Sequence, residues 1–272
     1  MDLTAADREA LLHAKLVLEH PGFAARVAEL LGRPIEISLN NLPDRVRRAI
    51  GAATHTALHF GLETALRTLS DRPSRGDDRR FHKLAGGIAG AAGGFFGLAA
   101  LPAELPLSTL IILRAIASIA RHEGEDMRRM EARLACLEVL SLGGHSTDSS
   151  AETGYYAARI GLAQSVTRAA EHLAKHGFAS RTAPPIAELL TRVGARFSLR
   201  VTEEVMAKAV PVVGAASGAA INTLFIHHFQ EMAKAHFTIR RLERCYGADR
   251  VRHAYEHVEW RRGNMLFPEV DA

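Results

Sequence analysis

The chain has 272 residues, of which 47% are apolar and 24% are charged. A chain of this length and composition buries a real core, which excludes a disordered protein, a collagen and a small disulfide-framed domain. The 34 Lys and Arg residues outnumber the 30 Asp and Glu residues only slightly, so we expect no nucleic-acid partner.

Asp2, Asp7 and Glu9 precede any apolar run, whereas a signal peptide begins with basic residues followed by an unbroken apolar stretch. The two cysteines, Cys136 and Cys245, form neither a metal-binding spacing nor a disulfide framework, which is typical of a reducing compartment. We therefore expect a cytoplasmic location.

Apolar residues recur with the helical period of 3.6 along nearly the whole chain. The clearest patterns cover residues 46–69, 110–120, 155–173, 186–205 and 221–246. No run of alternating β-branched residues predicts a strand. The sequence therefore predicts an all-α fold, a compact bundle of roughly eight to ten helices in one domain, 1–272.

Two long stretches carry no Asp, Glu, Lys or Arg: the 20 residues from Leu84 to Ala103 and the 22 residues from Ala209 to Gln230. Each has the length that crosses a bilayer, roughly 20 residues. The first is mostly Gly and Ala, however, and the second contains Pro211, so neither resembles a lipid-facing span.

Glycines recur at every fourth residue of the first stretch, a spacing that lets another backbone approach closely. Two prolines four residues apart then predict a break in the helix. The pattern indicates a glycine-rich apolar helical hairpin, which either packs inside a soluble fold or contacts a membrane or an apolar ligand. The candidate lipid- or partner-binding residues are Gly86, Gly90, Gly94, Phe95, Phe96, Pro102, Glu104 and Pro106, with Glu104 near the tip.

The run from Asp71 to Lys83 contains five cations and three Asp residues, and it directly precedes the hairpin. Taken alone, such a run is a solvated linker. Cations beside an apolar segment also favour an anionic membrane surface, by about 1 kcal/mol for each well-placed cation. Arg79, Arg80 and Lys83 are therefore the candidate basic surface.

Arg114 and Glu138 each interrupt an otherwise apolar helical pattern. Because a buried charge is costly unless it is paired, we expect these two residues to pair across adjacent helices. Together with Asn222 and Arg240 they form a candidate buried polar network. Such a network either fixes the register of the helices or binds the headgroup of a ligand.

The 14 histidines leave a metal-assisted hydrolase as an alternative. His55/His59, His172/His176 and His253/His257 have the i,i+4 spacing that places two imidazoles on one helix face. No H-E-x-x-H motif or nucleophile elbow accompanies these pairs. We therefore name no catalytic residue and no metal ligand, and we expect no cofactor.

Several ordered blocks resemble a bacterial family. The stretches Leu105 to Gly144 and Val210 to Val251, the latter with P-x-x-G-A-x-x-G and H-F-x-x-R-R-L-E-R-x-Y-G, are similar to the motifs of EcsC-type proteins. The resemblance covers residues 83–255, and residues 1–80 are less distinctive. The matching polar positions are Arg114, Gly124, Glu125, Glu138, Asn222, Arg240 and Glu243.

The resemblance implies a helical protein that is cytoplasmic or peripheral on the inner face of the cell membrane. The family is named after a protein encoded beside an ABC transporter linked to secretion, and it brings no catalytic residues to this chain. Our hypothesis is a non-enzymatic, membrane-peripheral protein that engages lipid or an integral membrane protein through the hairpin. A soluble interaction scaffold is the second alternative, and the oligomeric state stays open.

Overall fold

The computed structural model describes residues 3–19, 42–68, 97–142, 154–177, 182–208, 215–261 and 264–266. Over these ranges the backbone forms eight α-helices, one turn of 3₁₀-helix and one very short β-hairpin. The predicted all-α fold and the predicted number of helices are confirmed for this part of the chain.

The helices are α1 (Ala5–Glu19), α2 (Asp44–Thr68), α3 (Gly97–His122), α4 (Met130–Glu138), α5 (Tyr155–His176), α6 (Pro184–Lys208), α7 (Ala215–Tyr246) and α8 (Ala248–His257). The 3₁₀ turn Val139–Ser141 continues α4. Strands β1 (Glu259–Arg261) and β2 (Asn264–Leu266) pair antiparallel, with Trp260 opposite Met265. Strands of three residues are too short to show the alternation that predicts a strand.

The sequence of α6 shows why these segments are helical. Pro184 is its first residue, where the missing N–H removes no helix hydrogen bond. The apolar residues at helical spacing, from Ile186 to Val201, are buried on one face. At the end of α7, Gly247 adopts a φ of 92°, which only glycine adopts readily, and its N–H donates to the carbonyl of Glu243.

The core lies where α3 and α7 pack against the other helices. α2 packs along α3, α7 packs on α1 and α3, and α6 crosses α2 and α5. Three phenylalanines join α6 to α7: the rings of Phe225 and Phe229 lie 5.1 Å apart, and Phe197 lies 5.8 Å from Phe229. Edge-to-face contacts of this kind add stabilisation beyond the burial of area.

Pro102 and Pro106 lie inside α3, so the helix break predicted at these prolines is wrong. A proline inside a helix costs about 3 kcal/mol. Leu101 and Leu105, however, are buried in the core on the same turns, and their burial offsets that cost. Glu104 therefore lies within a continuous helix and not at a hairpin tip. The glycine-rich part of the predicted hairpin, residues 84–96, lies outside the described residues.

One described helical segment, Leu101–His122, is long and apolar enough to cross a membrane. Half of the most apolar 18-residue stretch of this segment is buried in the fold. A core helix of a soluble protein can have the same length and hydropathy. Ile112 and Ile116 of this segment are fully buried in the core. Ile221 and Phe225 of the second uncharged stretch are likewise buried in the core.

Two glycines of α2 provide a matched test of helix packing. A Cβ added at Gly61 would lie 2.8 Å from Cδ1 of Leu113, whereas one added at Gly51 would meet nothing within 4 Å. Gly51→Ala is expected to raise the free energy of unfolding by about 0.5–1 kcal/mol through helix propensity. Gly61→Ala should lose this gain, and Gly61→Leu should cost about 1–3 kcal/mol through overpacking. Urea unfolding of the three variants measures the difference; an equal gain for both alanine variants would contradict the close α2–α3 approach.

Candidate functional site

Helices α4, α5 and α7 bring ionisable residues together in the interior. Glu138 ends α4, Tyr155 and Arg159 lie in the first two turns of α5, and His236 and Glu243 lie in the second half of α7. We call these five residues the buried polar cluster. Of them, the sequence motifs singled out only Glu138 and Glu243.

Arg159 and Glu243 form the strongest contact of the buried polar cluster. Nη1 and Nη2 of Arg159 donate to Oε1 and Oε2 of Glu243, each at 2.6 Å. The two side chains are only 18% and 11% exposed. Tyr156 also donates its hydroxyl to Oε1 of Glu243, at 3.3 Å. Parallel, charge-assisted bonds of this kind are stronger than bonds between neutral groups.

A hydrogen bond joins the hydroxyl of Tyr155 to Nδ1 of His236, at 2.9 Å, and both side chains are buried. Burial, together with the charges of Arg159 and Arg240, holds the pKa of His236 well below its usual range, so this imidazole is neutral at physiological pH. Burial also raises the pKa of Tyr155, which keeps the phenol protonated.

Glu138 and His236 each have one buried polar side-chain atom without a hydrogen-bond partner among the described residues. Glu138 is only 3% exposed, and its Oε1 has no hydrogen-bond partner in the described part of the chain. Burial raises the pKa of Glu138 to about 7, although the positive charges of Arg159 and Arg240 counteract part of this effect. Glu138 therefore changes its protonation near neutral pH.

The expected pair between Arg114 and Glu138 is not among the ion pairs of the described residues, and the cations that act on Glu138 are Arg159 and Arg240. Arg114 lies half-buried on α3, which packs mainly on α2 and α7. An apolar stripe shows that a helix face is buried, but not which neighbour the face contacts. The positive charges that act on Glu138 thus come from α5 and α7.

Arg240 extends the charged interior towards the end of α3. Its Nε and Nη2 donate to Oε1 and Oε2 of Glu125, at 2.7 and 3.1 Å, and Arg244 also binds this carboxylate. Burial opposes the ionisation of Glu125, but the two arginines together hold its pKa below the ordinary value. One residue further along α7, Arg241 binds both Glu123 and Asp7, at 3.0 and 3.1 Å.

Asn222 does not belong to this network. It is buried, and its Oδ1 has no hydrogen-bond partner among the described residues. Asn222 and Arg240 lie 18 positions apart on α7, which is roughly 27 Å along the helix axis. Of the predicted network residues, Glu138 and Arg240 act on each other, whereas Asn222 lies far from Arg240 along α7.

Three cluster residues escaped the sequence analysis: Tyr155, Arg159 and His236. Tyr155 and Arg159 are four residues apart, which places both on one face of α5. His236 lies between Ala235 and Phe237, both buried. The sequence could have identified Tyr155 and His236 as polar residues on buried helix faces. It could not have shown that they contact each other across 81 positions.

The three histidine pairs are present as helix neighbours. Nε2 of His55 lies 3.1 Å from Nε2 of His59, and the rings of the other two pairs stack with centroids 4.4 and 4.1 Å apart. Within the described ranges, no group of three or more His, Cys, Asp or Glu side chains is arranged to hold a metal ion. Two imidazoles supply only half of a tetrahedral zinc site.

A second charged group lies where α3 and α6 meet. Nζ of Lys208, the last residue of α6, binds Glu104 near the start of α3 and also Oε1 of Glu204, at 2.8 Å. We call these residues the Glu104–Lys208–Glu204 triad. Burial raises the pKa of Glu204 to about 7; Lys208 lowers it in part, and Glu104 raises it further.

The fold is thus a helical bundle whose interior charges lie on and between α3 to α7, within the residues 83–255 over which the sequence resemblance extends. The family model of the EcsC protein family matches residues 7–242, and the chain belongs to this family. The match begins in α1, so it includes N-terminal residues that the motifs alone did not distinguish. No curated protein matches the chain, and no solved structure matches it.

Proposed function

We propose that this EcsC-family chain is a non-enzymatic, membrane-peripheral protein on the inner face of the cell membrane, and that its glycine-rich segment engages anionic lipid or an integral membrane protein. The position of the Glu104–Lys208–Glu204 triad carries the proposal. Glu104 directly follows the uncharged residues 84–103, and Lys208 directly precedes the uncharged residues 209–230. Because Lys208 binds Glu104, both uncharged stretches adjoin the described bundle at one place.

The distribution of charge along α3 and α7 supports this orientation. The ion pairs of Arg240, Arg241 and Arg244 lie around the carboxyl ends of these helices, with Glu123 and Glu125. Glu104 lies 18 residues before His122, roughly 27 Å along the axis of α3. The bundle therefore carries a dense set of charges at the carboxyl ends of α3 and α7, while residues 84–96 precede the opposite, amino-terminal end of α3 in the sequence. An apolar phase favours the uncharged residues that precede α3.

The proposed contact residues follow from the sequence beside this end. Arg79, Arg80 and Lys83 precede the uncharged stretch, and neighbouring cations add attraction to anionic lipid. These cations and the residues Gly86, Gly90, Gly94, Phe95 and Phe96 lie outside the described residues. Within the described part, Pro102 is exposed and Pro106 is half-buried on the first turns of α3.

Flotation with lipid vesicles tests the proposal. The purified chain is expected to float with vesicles rich in anionic phospholipid at low salt, and to stay unbound with zwitterionic vesicles. Binding should weaken as the salt concentration rises, since about 0.1 M salt screens charges beyond roughly 10 Å. The triple variant Arg79→Glu, Arg80→Glu, Lys83→Glu should lose most of the binding while its melting temperature stays unchanged.

A matched control reverses the same number of charges elsewhere. Arg45, Arg47 and Arg48 are exposed in the first turns of α2, and their change to Glu should leave vesicle binding close to that of the wild type. Wild-type protein that ignores anionic vesicles but binds native membrane vesicles would identify an integral membrane protein as the partner. Protein that binds neither would contradict membrane attachment and favour the soluble interaction scaffold.

A further inference from the structure

The Glu104–Lys208–Glu204 triad holds two carboxylates against one ammonium group. The carboxylate of Glu204 is 4% exposed, and the side chains of Glu104 and Lys208 are also mostly buried. Two ionised carboxylates and one ammonium leave a net charge of −1 in this partly dehydrated place. A low-dielectric environment makes such a charge costly, and the uptake of one proton removes it.

Among the described residues, Lys208 is the cation that offsets the negative charge of Glu204. Lys208 on the same helix and Glu104 on α3 are the charged groups that act on its carboxyl. Arg200, one turn earlier on α6, is held by Glu203 at 2.6 Å. α2, α5 and α7 pack against α6, and none of their described charged groups acts on Glu204. The next residues, 209–219, contain no charged side chain.

We propose that Glu204 is a proton-binding site that couples membrane attachment to pH, an inference that rests on the proposed function. With Glu204 ionised, the triad presents a negative charge next to the start of α3, which follows the glycine-rich segment proposed to contact anionic lipid. With Glu204 protonated, the triad is neutral and this repulsion disappears. Attachment to anionic lipid therefore tightens as the pH falls.

The membrane itself promotes this protonation. The negative surface potential of an anionic bilayer concentrates protons about three- to sevenfold at the surface. By linkage, if the lipid surface favours the protonated form, then the protonated form binds the surface more tightly by the same factor. Because burial and Glu104 bring the pKa of Glu204 to about 7, the change falls in the physiological range.

The test compares Glu204→Gln with the wild type in vesicle flotation at pH 6 and pH 8. Glutamine imitates the protonated carboxyl, so this variant should bind anionic vesicles about threefold more tightly than the wild type at pH 8 and equally at pH 6. The comparison within one pH cancels the titration of the histidines, which affects both proteins. Glu104→Gln removes one charge of the same triad and should also bind more tightly at pH 8.

Glu138→Gln is the matched control, because Glu138 is another buried carboxyl with a pKa of about 7 but lies in the buried polar cluster. It should leave vesicle binding unchanged at both pH values. Equal binding of Glu204→Gln and wild type at pH 8, with binding itself intact, would overturn the proton-linked role and leave the proposed function standing. Absence of wild-type binding at both pH values would instead overturn the proposed function.

Discussion

Glu243→Ala is expected to lower the free energy of unfolding by about 3–5 kcal/mol. The substitution removes both hydrogen bonds from the guanidinium of Arg159, whose side chain is only 18% exposed. A buried cation that loses its partner keeps the full cost of its dehydration. For a chain of this size, the loss corresponds to a fall of roughly 10 °C in melting temperature.

Thermal and urea unfolding at pH 7 measure this effect. Glu256→Ala is the control, because it breaks the pair between Glu256 and Arg252, in which both side chains are about half exposed. An exposed pair of this kind contributes about 0.3–0.5 kcal/mol. A loss for Glu243→Ala as small as that of the control would show that Arg159 finds water or another anion, and would contradict the bidentate geometry.

Glu138→Gln is expected to stabilise the chain by about 3 kcal/mol at pH 8 and by less than about 1 kcal/mol at pH 5. Burial raises the pKa of Glu138 from 4.5 to about 7 in the folded state. A raised carboxyl pKa contributes stability that is complete below the unfolded pKa and is lost as the pH rises through the folded pKa. At pH 8 the wild type has lost this contribution, which a neutral glutamine keeps. The size follows because a tenfold change in an acid dissociation constant corresponds to about 1.4 kcal/mol.

Urea unfolding at pH 5 and pH 8 tests the sign as well as the size. Glu131→Gln changes a partly exposed carboxyl on the same helix, paired with Arg129, and should shift the stability by less than about 0.5 kcal/mol at either pH. Destabilisation by Glu138→Gln at pH 8 would show that Glu138 is ionised and tightly paired, as the sequence analysis expected for a partnership with Arg114.

The two changes are coupled through Arg159, on which both carboxylates act. In the background of Glu243→Ala, Glu138 becomes the nearest remaining anion of Arg159 within the buried polar cluster. Glu138→Gln should then destabilise, reversing the sign that it has in the wild type at pH 8. A double-mutant cycle isolates this coupling.

The helices of the chain could be predicted well, because local spacing alone determines whether a segment has one apolar face. The apolar pattern over residues 186–205 was predicted from spacing, and the residues of α6 from Ile186 to Val201 are buried on one face. The prediction failed at Pro102 and Pro106, where the local preference of proline predicted a break in the helix. The burial of Leu101 and Leu105 in the core offsets the cost of the prolines, and α3 is continuous.

Pairing between distant residues could not be predicted in the same way. The sequence identified Glu138 and Arg240 as charges on buried helix faces, but their surroundings depend on which helices are neighbours. Arg159 joins Glu243 across 84 positions, and Lys208 joins Glu104 across 104 positions. No periodicity within one segment contains such information.

By itself, therefore, the sequence determined the helical class, the positions of the buried faces and the family motifs, since each depends on residues that are neighbours along the chain. Tertiary structure alone decided that Glu138 lies near Arg159, and that the two uncharged stretches adjoin one charged triad. The physical reason is that the cost of burying a charge makes a partner necessary, while only the packing of helices determines which partner is within reach.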